Sequence, residues 1–211
     1  MKFASTYDRG AGLLTLASSE NCDTDAWPLV PQVFFRHYQG THDPDLGAVA
    51  AAVLFASHCG SVAEFHGAKV GIDVARTIRT VAPDIEDVLP MDGKKRDIGQ
   101  GTSSIVVGAI DRILDGGVDR GAIGKAARVV TWSGDFVPTG ERNSSRQIGG
   151  DVFTNALLVA KSTSISVAIA LLVAGRGLRD IFVPKPPKDE AEEFARIADG
   201  LEFVSIKLRT I

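Results

Sequence analysis

Over the first forty residues, short apolar and branched runs are broken by turn residues, the pattern of strands. Lys2 to Tyr7 and Leu13 to Ala17 flank Asp8-Arg9-Gly10, a turn signal, so a hairpin is predicted. Gln32 to Tyr38 is rich in aromatic and branched side chains and predicts a third strand. The period then lengthens. Asp43 is a good N-cap and Pro44 suits the first helical position, where its missing N–H costs nothing, so a helix should run to about His58. Val70, Val74, Ile78 and Val81 recur on one helical face, and Pro83 stops that helix.

Residues 90–101 form a loop with Gly93, Gly99 and Gly101. Thr102 to Leu114 is predicted as a helix, ended by Gly116-Gly117. Arg128 to Trp132 predicts a strand, followed by a polar loop from Ser133 to Gly150. An apolar helical region covers 152–175, broken near Ser162-Thr163-Ser164 and ended by Gly177. Ile181 to Val183 is a short strand closed by Pro184. Asp189 to Ala198 is an amphipathic helix with Ala191, Phe194, Ile197 and Ala198 inward and acids in its first turn, as the helix dipole prefers. Gly200 caps it, and Glu202 to Leu208 is the last strand.

This order predicts a single α/β domain over 1–211 with one mixed sheet. Its N-terminal half carries the hairpin and a helical layer. Its C-terminal half is a parallel βαβαβ unit, because strands separated by helices pair in parallel through crossovers. The longest apolar stretches, Leu46 to Ala56 and Ile165 to Gly175, are too short for the ~20 residues of a membrane-crossing helix. They read as core helices, with a homodimer face on one of them as the rival reading.

Composition narrows the function classes. Apolar residues are 45 % and charged residues 23 % of the 211, the balance of a globular protein. The net charge of −3 argues against a nucleic-acid surface. Residues 1–90 hold 6 basic and 11 acidic side chains, and residues 91–211 hold 17 and 15, so the cationic groups sit late in the chain. Two cysteines, Cys22 and Cys59, are too few for a disulfide scaffold. The N-terminus has no basic region followed by an apolar run. A cytoplasmic location is the expectation.

The strongest chemical feature is Asp92 to Ser104, Asp-Gly-Lys-Lys-Arg-Asp-Ile-Gly-Gln-Gly-Thr-Ser-Ser, leading into the predicted helix. Gly99 and Gly101 would let the backbone curl around an anion, and free N–H groups at the helix start would point at it. Thr102, Ser103 and Ser104 add hydroxyl donors, and Lys94, Lys95 and Arg96 add counter-charge. The spacing is neither that of a P-loop nor that of a dinucleotide fingerprint. An exposed charged loop with an ordinary N-cap is the plainer reading.

Two loops leave the carboxyl ends of the predicted parallel strands, where ligands bind in open α/β sheets. Ser133 to Gly150 carries Asp135, Glu141, Arg142 and Arg146, and Pro184 to Lys188 presents two lysines on a segment stiffened by three prolines. The leading expectation is a small anionic, phosphate-bearing ligand, a nucleotide or sugar phosphate. Lys94, Lys95, Arg96, Gly99, Gly101, Thr102, Ser103 and Ser104 would meet Arg142 and Arg146 around it. If there is a reaction, it is transfer or hydrolysis at that group, with Asp135 and Glu141 as acid–base candidates. No cofactor is specified. A non-catalytic homo-oligomeric assembly subunit is the alternative.

All four histidines, His37, His42, His58 and His66, lie within thirty residues of one another, and their spacing fits no helix-borne zinc pair. They read as core and cap residues, with a tertiary site of His37, His42 and His58 left open. Ser103 is a candidate nucleophile, since N–H donors at a helix start suit an oxyanion, and Lys161 is a candidate base. Gly177 to Pro184, followed by an acidic helix and Gly200-Leu201-Glu202-Phe203-Val204, resembles the closing segment of Lon-type protease domains. The resemblance covers residues 177–211 and implies a serine–lysine hydrolase on a Lon-like fold. That family's lysine, one helical turn after a Gly-Gly pair, would fall near Thr154 after Gly149-Gly150, where this chain has none. Lys161 lies two turns later.

Overall fold

A computed structural model of the chain describes residues 1–20, 25–26, 28, 30–36, 43–67, 69–96, 98–109, 112–113, 127–133 and 149–211. Among the described residues, ten strands form one mixed sheet in the order β10-β9-β6-β7-β8-β3-β2-β1-β4-β5. The chain is thus mixed α/β, with one sheet running through both halves.

The N-terminal half follows its local signals. Strands β1 (Lys2–Asp8) and β2 (Leu13–Glu20) pair antiparallel, closing at Asp8 opposite Leu13. Asp8 makes the turn itself, its carboxylate accepting the Gly10 and Ala11 N–H groups at 2.9 and 3.0 Å. Strand β3 (Gln32–Arg36) joins β2 antiparallel. Helix α1 (Pro44–Phe55) is capped by Asp43, whose side chain accepts from the N–H groups of Asp45 and Leu46. Helix α2 (Ile72–Val81) starts two residues after Val70, which instead bridges to Met91. Two short strands escaped the sequence reading. They are β4 (Val62–Phe65), parallel to β1, and β5 (Asp87–Leu89), parallel to β4. Four and three residues are too few for periodicity to separate strand from loop.

The C-terminal half is parallel as expected, but its first element is corrected. Thr102 to Leu114 does not begin a helix, because Ser103–Ala109 is strand β6. Ile105, Val106 and Val107 are consecutive β-branched residues, all essentially inaccessible, the signature of a parallel strand buried on both faces. Ile105 and Val107 join the main core, whereas Val106 is buried outside it. Strands β7 (Ala127–Ser133) and β8 (Gly149–Thr154) extend the sheet on one side of β6. Strands β9 (Leu178–Val183) and β10 (Lys207–Thr210) extend it on the other.

The helical region expected over 152–175 resolves into the end of β8, a 3-10 turn (Ala156–Leu158) and helix α3 (Ser162–Ala174). Gly175, at φ 67°, ends α3. Of the residues expected to face inward on helix α4 (Ala191–Glu202), Ile197 is buried and Phe194 and Ala198 are half-buried, but Ala191, at the first turn, is exposed. The helix runs past Gly200, which lies inside it rather than capping it. A Cβ on Gly200 would come within 2.8 Å of Val81, so this glycine allows α4 to lie close on α2. The last strand begins at Lys207, five residues later than the sequence suggests.

Helices α1 and α3 are apolar on every side because they are buried on every side. Residues from Asp45 to Phe55 and from Thr163 to Val173 are buried, and the two helices lie against each other. Neither keeps a face for a second copy, which removes the motive for the homodimer reading of these helices. Helix α2 flanks α1, α4 flanks α2, and α3 covers β6 and β9.

Candidate functional site

Strands β6, β7 and β8 step outward in one direction, and the chain then crosses back through α3 to β9 and β10 on the opposite side of β6. This reversal opens a switch point between β6 and β9. In open parallel sheets the crevice beyond the carboxyl ends at such a point is where ligands bind. The ends in question are Ala109 and Val183.

The 92–104 segment lies at the other end of these strands, since it leads into the amino end of β6. Its glycines serve backbone packing. A Cβ on Gly99 would lie 2.4 Å from the Val204 and Ser205 carbonyl oxygens, and one on Gly101 would lie 2.0 Å from the Gly177 carbonyl oxygen. The Gly99 N–H donates to the Val204 carbonyl at 2.9 Å. The Ser103 N–H and hydroxyl both donate to the Gly177 carbonyl, at 3.2 and 2.7 Å. With no helix at Thr102, the helix-start N–H groups expected to meet an anion or an oxyanion do not exist there. Thr102 and Ser103 are exposed and Ser104 half-buried.

Arg96 is held by its own protein. Its guanidinium meets Asp92 at 2.5 Å, Asp45 at 3.2 Å and the Lys69 carbonyl at 2.7 Å. Its backbone N–H donates to both Asp73 oxygens, at 2.9 and 3.0 Å. Arg176 joins the same cluster, 3.0 Å from Asp45 and hydrogen-bonded to Asp43. Burial pushes the Asp45 carboxyl above its ordinary value, against the pull of Arg96 and Arg176. The Lys94 N–H, and then Arg96, hold the Asp92 carboxyl below its own. Lys94 and Lys95 stay exposed. Asp135, Glu141, Arg142 and Arg146 lie outside the described residues, as do His37, His42 and Cys22.

The proposed Ser103–Lys161 pair is not assembled. Ser103 sits beside Gly177, just past the carboxyl end of α3, while Lys161 precedes its amino end. The 13 residues of α3, at about 1.5 Å each, hold the two roughly 20 Å apart. Among the described residues, no three His, Cys, Asp or Glu side chains cluster as metal ligands. Burial pushes the Cys59 thiol up to about 12, so it stays protonated and unreactive.

The carboxyl end carries a different set of groups. Gly108 leaves room for Pro184 to fold over the end of β6, since a Cβ there would lie 2.7 Å from that ring. Beyond it Lys185 and Lys188 are exposed. Lys161 Nζ donates to the Asp189 carbonyl at 2.9 Å, tying this loop to the start of α3. The buried Glu190 carboxylate accepts the Thr163 N–H at 2.9 Å, and Glu193 accepts the Ser164 hydroxyl.

Beside these contacts lies a groove of about 500 Å³. Its walls are the end of α1, the Pro83–Asp84 turn, residues 157–161, and Glu193 and Arg196 of α4. Leu157 and Leu158 are 53 % and 48 % exposed. The sequence reading missed these leucines and Arg196. Leu157 and Leu158 sit in an apolar run indistinguishable from core, and Arg196 is one of several charges on an amphipathic helix.

Comparison with family models, curated proteins and solved structures finds no significant match. Residues 177–211, which resemble a Lon-type closing segment, contain β9, α4 and β10. Among the described residues, no helix is long and apolar enough to cross a membrane.

Proposed function

We propose that this chain binds a small anionic, phosphate-bearing ligand at the carboxyl ends of its parallel strands, beside Lys185 and Lys188. The observation that carries the reading is the reversal of strand order between β6 and β9. Two exposed lysines on a proline-stiffened loop at that end supply counter-charge at low ordering cost. The amino end is less suited, because Arg96 there is already matched by Asp45 and Asp92.

Thermal-shift titration with nucleotides and sugar phosphates tests this. A ligand that stabilises the wild type should lose about tenfold in affinity, close to 1.4 kcal/mol, in the Lys185→Ala/Lys188→Ala double variant. The Lys94→Ala/Lys95→Ala variant should bind normally. If that second variant alone loses binding, the site belongs at the amino end. If no ligand shifts the wild type, the reading fails.

A further inference from the structure

Beyond that reading, we propose that the groove beside α3 is a second site that selects a phosphate monoester with an apolar body, its head on Arg196 and its body over Leu157 and Leu158. The groove has the volume of a small-molecule site. Its apolar wall includes two adjacent leucines that remain half in solvent, whereas most of the large aliphatic side chains described in this half are buried. Covering them would remove apolar surface from water.

The polar requirement comes from Arg196. Its Nε is buried and without a hydrogen-bond partner among the described residues. The guanidinium to which this Nε belongs lines the groove, and its planar fork is shaped for the paired oxygens of a phosphate. Of the two acids lining the groove, Glu193 is engaged by the Ser164 hydroxyl, leaving Asp84. Arg196 and Lys161 offset these two acids, so the groove is near neutral. The head is therefore held by hydrogen-bonding geometry rather than by a broad positive field, and added salt should weaken binding only slightly. Lys161 both lines the groove and bonds to the Asp189 carbonyl, so the groove lies next to the lysine-bearing loop.

Calorimetric titration with octyl phosphate below its micellar concentration, inorganic phosphate and 1-octanol tests the inference. Octyl phosphate should bind the wild type at least about tenfold more tightly than either other probe. Arg196→Gln should remove about tenfold of that affinity, and Arg196→Lys, which keeps the charge but not the fork, should lose most of it too. Leu157→Ser/Leu158→Ser, two solvent-facing changes, should reduce octyl phosphate to the level of inorganic phosphate. Equal binding of octyl and inorganic phosphate, octanol binding as tightly as octyl phosphate, or indifference to the Arg196 and leucine changes would overturn the groove assignment. In those cases phosphate binding still sensitive to Lys185→Ala/Lys188→Ala would leave the broader reading standing. No binding of any phosphate ends both.

Discussion

Gly99 and Gly101 show how a residue can be picked out correctly for the wrong reason. Both positions demand glycine, but the atoms crowding them are the carbonyl oxygens of Val204, Ser205 and Gly177 rather than those of a ligand. Nothing within thirteen residues of either glycine reports that. A methyl group at Gly101, 2.0 Å from a backbone oxygen, forces the strand entrance apart. Gly101→Ala should therefore cost more than about 2 kcal/mol and lower the melting temperature by about 4–8 °C with no ligand present. A variant that melts normally yet loses phosphate binding would restore the anion-cradle role. Arg96 teaches the same lesson. Three cationic residues in a row look like a binding patch, but the third is matched by Asp45, 51 residues earlier in the chain.

At the scale of elements, helix α3 depends on a partner distant in sequence. Its N-cap, Lys161, has no side-chain acceptor to offer, and the buried first-turn N–H of Thr163 is satisfied by Glu190, 27 residues onward. Glu190→Ala strands that donor. It should cost about 1–3 kcal/mol in urea unfolding, seen as a lower midpoint at unchanged slope. An unchanged midpoint would mean that water replaces the carboxylate freely. The misread element, β6, was legible in a different way. Ser-Ser-Ile-Val-Val-Gly-Ala has three β-branched residues together, which favours a strand, but the Gly-Thr-Ser-Ser lead-in mimics a helix cap and outweighed it. Burial on both faces decided the outcome, and burial is supplied by neighbours.

Across the whole molecule, the cluster of Asp43, Asp45, Asp92, Arg96 and Arg176 stitches the start of α1, the 92–96 loop and the end of α3 together at the amino end of the sheet. Its two shifted carboxyls act in opposite directions on stability. Asp45, raised by burial, contributes stability that is fully present below its ordinary value of 3.8 and is lost as pH rises through the raised value. Asp92, held low chiefly by the Lys94 N–H, contributes stability above 3.8 that is lost as pH falls through the lowered value. Asp45→Asn removes only the first contribution. Relative to wild type, its melting temperature should therefore move in the variant's favour between about pH 3 and about pH 7. A difference that is flat over that range, or moves the other way, would mean that Arg96 and Arg176 outweigh the burial of Asp45.

Sequence alone determined the features that rest on neighbours along the chain. These are the β1–β2 hairpin with Asp8 in its turn, the Asp43 cap and Pro44 start of α1, and the amphipathic character of α2 and α4. Their physics is local, set by backbone preference, capping and periodicity. Tertiary structure decided which segments share an end of the sheet. It sent the glycine-and-lysine loop to the amino ends of β6 and β9, and the proline-stiffened lysines to their carboxyl ends. It also closed a groove from segments as far apart as α1 and α4. Pairing and close approach are settled by which surfaces bury each other, and that competition is resolved only when the whole sheet is assembled.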